Sequence, residues 1–277
     1  MLNALTVDLE DWRQLVHRKM TGETVVPSAI VVEETEAILQ LLEAHGTRAT
    51  FFVLANIAEW YPALLRRIVA AGHEIGSHGL SHELLWRLPL ERFRDETRRA
   101  KAQLQEVAGV EVRGYRAAEF SITPEALSVL ADEGFTYDSS LYPLGRVDPK
   151  TTVPHTVRTS AGPIAEFPLL TMARGRRRWA VGGGGPMHLL PQKVLSSSIQ
   201  RANREGNPAV LYVHPYDVAT RRLKPISRPR SSRQAVVLAR HATVHNVGRR
   251  HAMRTLTGLL QRFEFGTVAS LLASVGE

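Results

Sequence analysis

The stretch LTVDLEDW, residues 5–12, decides the fold, because an apolar run there ends abruptly in acidic residues. Residues 2–7 are mostly apolar, which is typical of a strand buried on both faces. Asp8, Glu10 and Asp11 follow at the carboxyl end of that strand. Ligands of parallel α/β folds collect at the carboxyl ends of the strands. We therefore predict a buried strand that carries part of a functional site.

Strand and helix patterns alternate along the rest of the chain, which predicts a parallel α/β sheet or barrel. Apolar runs predict further strands at residues 49–54, 73–77, 112–116, 135–137, 209–213 and 263–265. Helical spacing and helix-ending glycines predict helices at residues 33–45, 57–71, 90–108, 123–134, 191–205 and 250–261, with a last helix from residue 267. Proline-rich residues 141–190 are expected to be less regular, with a flexible glycine loop at 182–185, and residues 219–233 to form a basic loop.

No linker divides the chain clearly, so we expect one domain over residues 1–277. The core motifs fall within residues 6–143. Residues 144–277 would then complete the barrel.

The composition is that of an ordinary globular protein, with 44% hydrophobic and 22% charged residues. No run approaches the roughly 20 apolar residues of a membrane-spanning helix. The first residues lack a basic segment followed by an apolar one, so we expect a cytoplasmic protein, either free or at the inner face of the membrane. The chain has no cysteine, so any metal must be held by His, Asp and Glu.

The net charge of +8 conceals an asymmetry between the two parts of the chain. Residues 171–277 hold 18 Lys and Arg against 4 Asp and Glu, whereas residues 1–170 are net acidic. A basic surface attracts anionic lipid, acidic glycan or nucleic acid. Aromatic residues are only 6% of the chain, which disfavours a stacking platform for single-stranded nucleic acid. A solvated arginine-rich face is the alternative.

Two clusters of side chains have the chemistry of metal ligands. His78 and His82 form a His-x-x-x-His motif, and neutral imidazole is a common ligand of zinc and other transition metals. Asp8, Glu10 and Asp11 are three carboxylates that repel one another unless a cation lies between them. Taken alone, each cluster is also compatible with a solvated turn or with histidines that have only a structural role.

Two further residues follow predicted strands. Arg116 is the last residue of the predicted strand 112–116. A guanidinium can hold a carboxylate bidentately. His214 ends the strand at 209–213, where a lone histidine is more often structural than catalytic.

The order of the motifs resembles the polysaccharide deacetylases with a NodB-type domain, carbohydrate esterase family four. It looks most like the branch associated with exopolysaccharide gene clusters, whose first motif is Asp-x-Glu-Asp-Trp. The glycine-rich segment at 182–191 is similar to that branch as well. The motifs are TVDLEDW (6–12), ATFFVL (49–54), GHEIGSHGLSH (72–82), GYRA (114–117), YDSSLYP (137–143) and LYVHP (211–215).

The resemblance implies a distorted (β/α) barrel with fewer than eight regular strands and a metal-dependent removal of an N-acyl group from a sugar. His78, His82 and one carboxylate, Glu10 or Asp11, would hold the metal. Zn²⁺ is the default for such ligands, and Co²⁺, Ni²⁺ or Mn²⁺ fit comparable ones. The resemblance also implies that Asp8 is the base and that Arg116 orients it. His214 would be the general acid, tuned by Asp138. The sugar pocket would be lined by Trp12, Leu141 and Tyr142.

We therefore expect a deacetylase of an N-acetylhexosamine unit in a polysaccharide or its precursor. Its substrate would be an N-acetylated glycan or a lipid-linked or nucleotide-linked sugar, met at an anionic membrane surface or free in the cytoplasm. Two alternatives remain open. One is an amidohydrolase or deformylase of a non-polymeric amide, and the other is a non-catalytic protein that binds glycans or anions through its basic half. We expect no specific nucleic-acid partner.

Overall fold

A parallel sheet flanked by helices forms the centre of the molecule, and a computed structural model describes residues 1–219 and 221–274 of it. The first strand, predicted from the apolar run at residues 2–7, is buried along its whole length. The strands are β1 (Asn3–Leu9), β2 (Thr50–Val53), β3 (Glu74–Ser77), β4 (Gly114–Tyr115), β5 (Tyr137–Asp138), β6 (His155–Thr159), β7 (Gly162–Glu166), β8 (Thr171–Arg174), β9 (Arg177–Ala180), β10 (Val210–Val213) and β11 (Phe265–Gly266).

The strand order is β10-β1-β2-β3-β4-β5-β7-β6, with β11 also paired to β1. Every neighbouring pair from β10 to β7 is parallel, and only the β6–β7 pair of this sheet is antiparallel. Within the described ranges no pairing closes the order into a ring. The predicted α/β class is thereby confirmed, as an incomplete barrel whose run of parallel strands is shorter than eight.

Helices connect the strands and cover the sheet. They are α1 (Trp12–Thr21), α2 (Ile30–Ala44), α3 (Ala55–Trp60), α4 (Pro62–Ala70), α5 (Leu90–Ala108), α6 (Pro124–Asp132), α7 (Gly185–Leu189), α8 (Gln192–Arg204), α9 (Pro215–Val218), α10 (Ser232–Asn246) and α11 (Arg249–Leu260). No helix in the described part of the chain is long and apolar enough to cross a membrane.

Several predicted elements differ from the structure. The helix predicted at 57–71 is two helices, since Pro62 lacks the N–H that would continue α3 and instead starts α4. The region 141–190, predicted to be irregular, contains the antiparallel pairs β6–β7 and β8–β9. The helix predicted from residue 267 is a 3-10 helix, Ala269–Ser274, and residues 275–277 lie outside the described residues.

The C-terminal part of the chain also departs from prediction. The basic loop predicted at 219–233 ends where α10 begins, and Thr220 lies outside the described residues. The glycines at 182–185 do not form a free loop, because Gly183 bridges to Tyr212 on β10. At its φ of +146°, a Cβ on Gly183 would lie 1.8 Å from the Tyr212 carbonyl oxygen, so only glycine fits.

Candidate metal and catalytic site

Strand ends that are far apart in sequence meet at one cavity of about 240 Å³. β1 leads into Glu10, β3 into His78 and β10 into His214, and all three side chains line this cavity. Because the strands are parallel, their carboxyl ends lie on the same edge of the sheet. The sheet order therefore brings together residues that the sequence separates by more than 200 positions.

Glu10, His78 and His82 form a compact group of metal-ligand type, with their ligand atoms all within 4.8 Å of one another. Glu10 Oε2 lies 2.9 Å from His82 Nε2 and 3.6 Å from His78 Nε2. His78 Nδ1 donates to the carbonyl oxygen of Arg116 at 2.8 Å. That bond leaves the Nε2 lone pair of His78 facing the carboxylate, which is the tautomer a metal requires. The donor set therefore fits a divalent metal held by two histidines and a carboxylate.

Asp11, the other carboxylate that the sequence left open as a ligand, lies outside this group. Its side chain caps helix α1, accepting from the backbone N–H of Arg13 at 3.0 Å and of Ser28 at 2.6 Å. Residues two apart on a strand point to the same face, so Glu10 follows Asp8 into the cavity while Asp11 has already turned into the helix. The structure thus places Glu10, and not Asp11, beside His78 and His82.

Asp8 is fixed by Arg116, as the resemblance implied. The guanidinium donates to Asp8 Oδ1 at 2.8 Å, and both side chains are almost fully buried. Arg116 also donates to the Ser139 carbonyl oxygen at 2.8 Å and to the Ser139 hydroxyl at 2.7 Å, and it lies over the Phe52 ring. The arginine therefore has one available position, and it holds the Asp8 carboxylate at the cavity wall.

His214 is oriented by Asp217 rather than by Asp138. Asp217 Oδ2 lies 2.8 Å from His214 Nδ1, and the same carboxylate accepts from the His214 backbone N–H. Burial alone would lower the pKa of His214, but the charge of Asp217 and its hydrogen bond outweigh burial and raise that pKa to about 9. The other oxygen of Asp217 lies 2.9 Å from His188 Nε2. His214 is thus a protonated imidazolium at neutral pH.

Asp138 lies elsewhere, which corrects its implied role. Its carboxylate accepts from the Ser140 hydroxyl at 2.6 Å and the Ser140 backbone N–H at 3.0 Å, and it also hydrogen-bonds to Glu166. The Ser140 hydroxyl in turn accepts from the Ala117 backbone N–H. Asp138 therefore stabilises the loop beside Arg116.

The charge state of Glu10 is set by its basic neighbours. Burial by itself raises the pKa of this carboxyl, but the charges of His82 and His214, with hydrogen bonding, lower it well below its ordinary value. The Tyr216 hydroxyl donates to Glu10 Oε1 at 2.6 Å. Glu10 is consequently ionised, as a metal ligand must be.

The three residues implied to line the sugar pocket have different positions. Trp12 lines the cavity. Leu141 and Tyr142 do not line it. Tyr142 instead packs edge-on against two residues that do, Phe120 and Tyr212.

Sequence reasoning missed several residues that line this cavity, namely Lys19, Phe120, Tyr216, His241 and His245, and also Asp217, which contacts His214. Asp217 could have been predicted from the sequence. In His-Pro-Tyr-Asp the acidic residue lies three positions after His214, which is the spacing of a capping box. The others come from α1, α9, α10 and the loop that holds Phe120, whose positions depend on the whole fold.

Backbone conformation gives a further signal at the cavity. Among the described residues, the non-glycine positions with positive φ are His82 (53°), Glu119 (49°) and Phe120 (58°), and all three line it. Such conformations cost about 1–3 kcal/mol each and cluster at functional sites. The surrounding structure therefore holds this cavity in a specific shape.

Comparisons with known proteins agree with this geometry. Residues 26–137 match the family model for polysaccharide deacetylase, and residues 139–273 match a model for a domain of unknown function, DUF3473. His78, His82 and Arg116 lie in the first range and His214 in the second.

Curated relatives are matched over part of their length. A peptidoglycan-N-acetylglucosamine deacetylase of Bacillus cereus is 31% identical over 104 residues, which cover 38% of this chain and 38% of the relative. A chitooligosaccharide deacetylase of Sinorhizobium fredii is 44% identical over 79 residues, which cover 26% of this chain and 35% of the relative. The matched part thus spans well under half of either relative.

The fold is shared over nearly the full chain with a crystal structure from Mycobacterium smegmatis that is described as a polysaccharide deacetylase. Its TM-score is 0.63 at 19% identity, with 99% of this chain and 90% of the other covered. These comparisons show that residues 26–137 are similar to polysaccharide deacetylases and that the fold is shared over nearly the full chain.

Proposed function

We propose that this protein is a hydrolase that removes the N-acetyl group from an N-acetylhexosamine unit of a polysaccharide or of its precursor. The observation that carries the proposal is the group of Glu10, His78 and His82 in one cavity with the Asp8–Arg116 and His214–Asp217 pairs. A metal-ligand set, a fixed carboxylate and a protonated histidine are the parts that hydrolysis of an amide needs.

The residues divide the reaction between them. A divalent metal, when bound by Glu10, His78 and His82, polarises the amide carbonyl and makes water a better nucleophile. Asp8, held by Arg116, accepts the proton of the attacking water. His214, kept protonated by Asp217, donates a proton to the leaving amine.

We propose Zn²⁺ as the metal, because two imidazoles and one carboxylate match its preferred donors in catalytic sites. Co²⁺, Ni²⁺ and Mn²⁺ can occupy comparable ligands. Elemental analysis of the purified protein distinguishes them.

The substrate class follows from the family. The curated relatives are named for deacetylation of peptidoglycan N-acetylglucosamine and of chitooligosaccharide. By the motif Asp8-Leu9-Glu10-Asp11-Trp12 we assign the chain to the exopolysaccharide-associated branch and propose an N-acetylated glycan, or a lipid-linked or nucleotide-linked sugar, as its substrate.

A small non-polymeric amide is the second candidate substrate, and the size of the cavity favours it. At about 240 Å³ the cavity is below the roughly 300–1,000 Å³ of common ligand pockets. An amidohydrolase or deformylase in the same superfamily would have such a site.

The direct experiment measures acetate release from N-acetylhexosamine oligomers and from lipid-linked and nucleotide-linked N-acetylated sugars. Wild type with Zn²⁺, chelated wild type and His78→Ala are compared. Release that is lost in the last two supports the proposal and identifies the substrate. Metal binding without acetate release would favour the other amidase, and neither metal nor release would leave a non-catalytic binder of glycans or anions.

We also propose that the protein acts in the cytoplasm, in contact with the anionic inner face of the membrane. The β8–β9 hairpin supports this, since Arg174, Arg176 and Arg177 are exposed there and the neighbouring Trp179 is 53% exposed. Arginine with an exposed tryptophan suits a lipid headgroup surface.

Vesicle binding tests the membrane contact. Arg176→Glu with Arg177→Glu should abolish binding to anionic vesicles, and Glu23→Lys on another exposed loop should not weaken it. Arg178 is left unchanged because it donates to Thr171 and holds the hairpin together. Equal binding by wild type and the double variant would refute the contact.

A further inference from the structure

Helix α10 contributes two histidines to the cavity that none of the roles above uses. His241 and His245 are four positions apart, so they lie on one face of the helix, and both line the cavity. We call this pair the histidine wall. It belongs to the segment that matches a domain of unknown function and lies far along the chain from the metal-ligand motifs.

The histidine wall is connected to the reacting groups through stacked rings. The His241 and His245 rings are parallel at 6.0 Å, and His245 meets the edge of Tyr216 at 5.4 Å. Tyr216 stacks on His214 at 4.6 Å and donates to Glu10. One continuous surface of rings therefore runs from the proton donor to the side of the cavity formed by α10.

Helix α10 has little structural need for two histidines on its inner face. None of its side chains is fully buried. It is attached to α1 through Val237, Leu238 and Ala242, which pack against a cluster containing Trp12 and Val16. Those apolar contacts already hold the helix in place, so the imidazoles are free to serve the cavity.

The chemistry of the histidine wall matches a sugar better than an acyl group. Burial lowers the pKa of His245 to about 4 and also lowers that of His241, so both rings are neutral at neutral pH. A neutral imidazole has one donor and one acceptor, as a hydroxyl group also does. The flat faces of the rings suit the apolar faces of a sugar ring.

We propose that the histidine wall determines specificity by hydrogen-bonding the hydroxyl groups of the sugar unit whose N-acetyl group is removed. This inference rests on the proposed function and adds the recognition of the sugar to it. The wall lines the same cavity as Glu10, His78 and His82.

The test separates recognition of the sugar from the chemistry. His241→Gln, His245→Gln and the double variant are compared with wild type on an N-acetylhexosamine oligomer and on phenyl acetate, which carries an acetyl group and no sugar. The matched control is Val236→Ala, on the same helix, whose side chain is 68% exposed. We expect the double variant to lose at least tenfold in kcat/KM on the oligomer, mainly through KM, and to stay within twofold on phenyl acetate.

A second readout is independent of catalysis. The Kd of the deacetylated oligomer is measured calorimetrically on metal-free wild type and on the double variant, and we expect at least a fivefold weakening. Equal losses on both substrates would mean a structural role, and an unchanged KM and Kd would overturn the inference. If wild type hydrolyses neither substrate, the proposed function fails, and the Kd comparison alone tests the histidine wall. Absence of oligomer binding by wild type would then also overturn the inference.

Discussion

Three side chains of the site each have a polar contact that fixes their orientation. His78 is held through the Arg116 carbonyl oxygen, Asp8 through the Arg116 guanidinium, and His214 through Asp217. A single arginine thus positions both the metal-ligand set and the proposed base. Such supporting contacts determine whether a ligand set can function.

Asp217→Asn should narrow the pH range of activity. Asp217 opposes the effect of burial and raises the pKa of His214 to about 9, so loss of its charge lowers that pKa. The protonated form of His214 is then lost at lower pH. We expect the alkaline limb of the kcat profile to move down by at least about one pH unit, with kcat reduced roughly 10²-fold.

The Asp217→Asn measurement is a pH–rate profile on saturating substrate, with Glu205→Gln as a surface control. An alkaline limb in the same place as that of wild type would contradict the role of His214.

The buried pair of Asp138 and Glu166 should tolerate replacement of Glu166 by glutamine. Burial and the neighbouring Asp138 raise the pKa of Glu166 well above its usual value, which favours the protonated form of Glu166. Glu166 also accepts from the Leu141 backbone N–H at 3.0 Å. Glu166→Gln keeps a donor and an acceptor and should change the free energy of unfolding by less than about 1 kcal/mol.

Glu166→Ala leaves Asp138 and the Leu141 N–H without that partner and should cost about 2–4 kcal/mol. Urea denaturation of the two variants measures the difference. Equal destabilisation by Gln and Ala would show that Glu166 is ionised.

His73 should make the protein less stable in mild acid. Its Nδ1 accepts from the Ala49 backbone N–H at 3.2 Å, and burial, with Arg48 and Arg67, lowers its pKa from 6.5 to about 4. As the pH drops, His73 is protonated in the unfolded chain before it is protonated in the folded protein. The free energy of unfolding therefore falls between pH 6.5 and pH 4, by on the order of 3 kcal/mol in total. Thermal denaturation of wild type and His73→Gln over that range tests this, and a variant with the same acid sensitivity as wild type would exclude His73 as the source.

At the scale of the elements, the end of β1 illustrates what a sequence pattern can and cannot determine. The apolar run predicts the strand, and the acidic residues predict a site at its end. Which carboxylate enters the cavity depends on where the strand stops and α1 begins, and that depends on the Asp11 cap and its bond to Ser28.

Asp11→Ala should therefore affect stability rather than metal affinity. Loss of a helix cap costs roughly 0.5–2 kcal/mol, and the Ser28 N–H also loses its partner. We expect urea denaturation to show a cost near 2 kcal/mol, with Zn²⁺ affinity within threefold of wild type. A drop in affinity as large as that of Glu10→Ala would reinstate Asp11 as a ligand.

Helix α10 and strands β8 and β9, which the sequence did not predict, share a physical cause. Helix α10 buries none of its residues fully, so it shows no wide apolar stripe. Strand β9 is exposed at alternate positions, and β8 is fully buried only at Thr171. Both strands follow closely spaced prolines, which indicate irregular structure. By contrast β1, β2 and β10, which are buried throughout, were predicted to within two residues at each end.

At the scale of the whole molecule, the site depends on both parts of the chain. β1 lies between β10 and β2, so the strand that leads to Glu10 is paired directly with the strand that leads to His214. The order of motifs in the sequence predicted that Asp8, His78, His82, Arg116 and His214 would meet, and the structure brings them together. The order of motifs could not predict His241 and His245, because no local sequence pattern indicates where α10 packs.

Titration of metal-free protein with Zn²⁺, followed by acetate release from an N-acetylhexosamine oligomer, tests the central claim most directly. We predict that release rises with added metal and saturates near one equivalent in wild type and in Asp11→Asn, which retains the helix cap. Glu10→Gln should show less than about a hundredth of the wild-type rate at the same metal concentration. Full release from chelated wild type, or equal rates in Glu10→Gln and wild type, would contradict a metal centre at Glu10, His78 and His82.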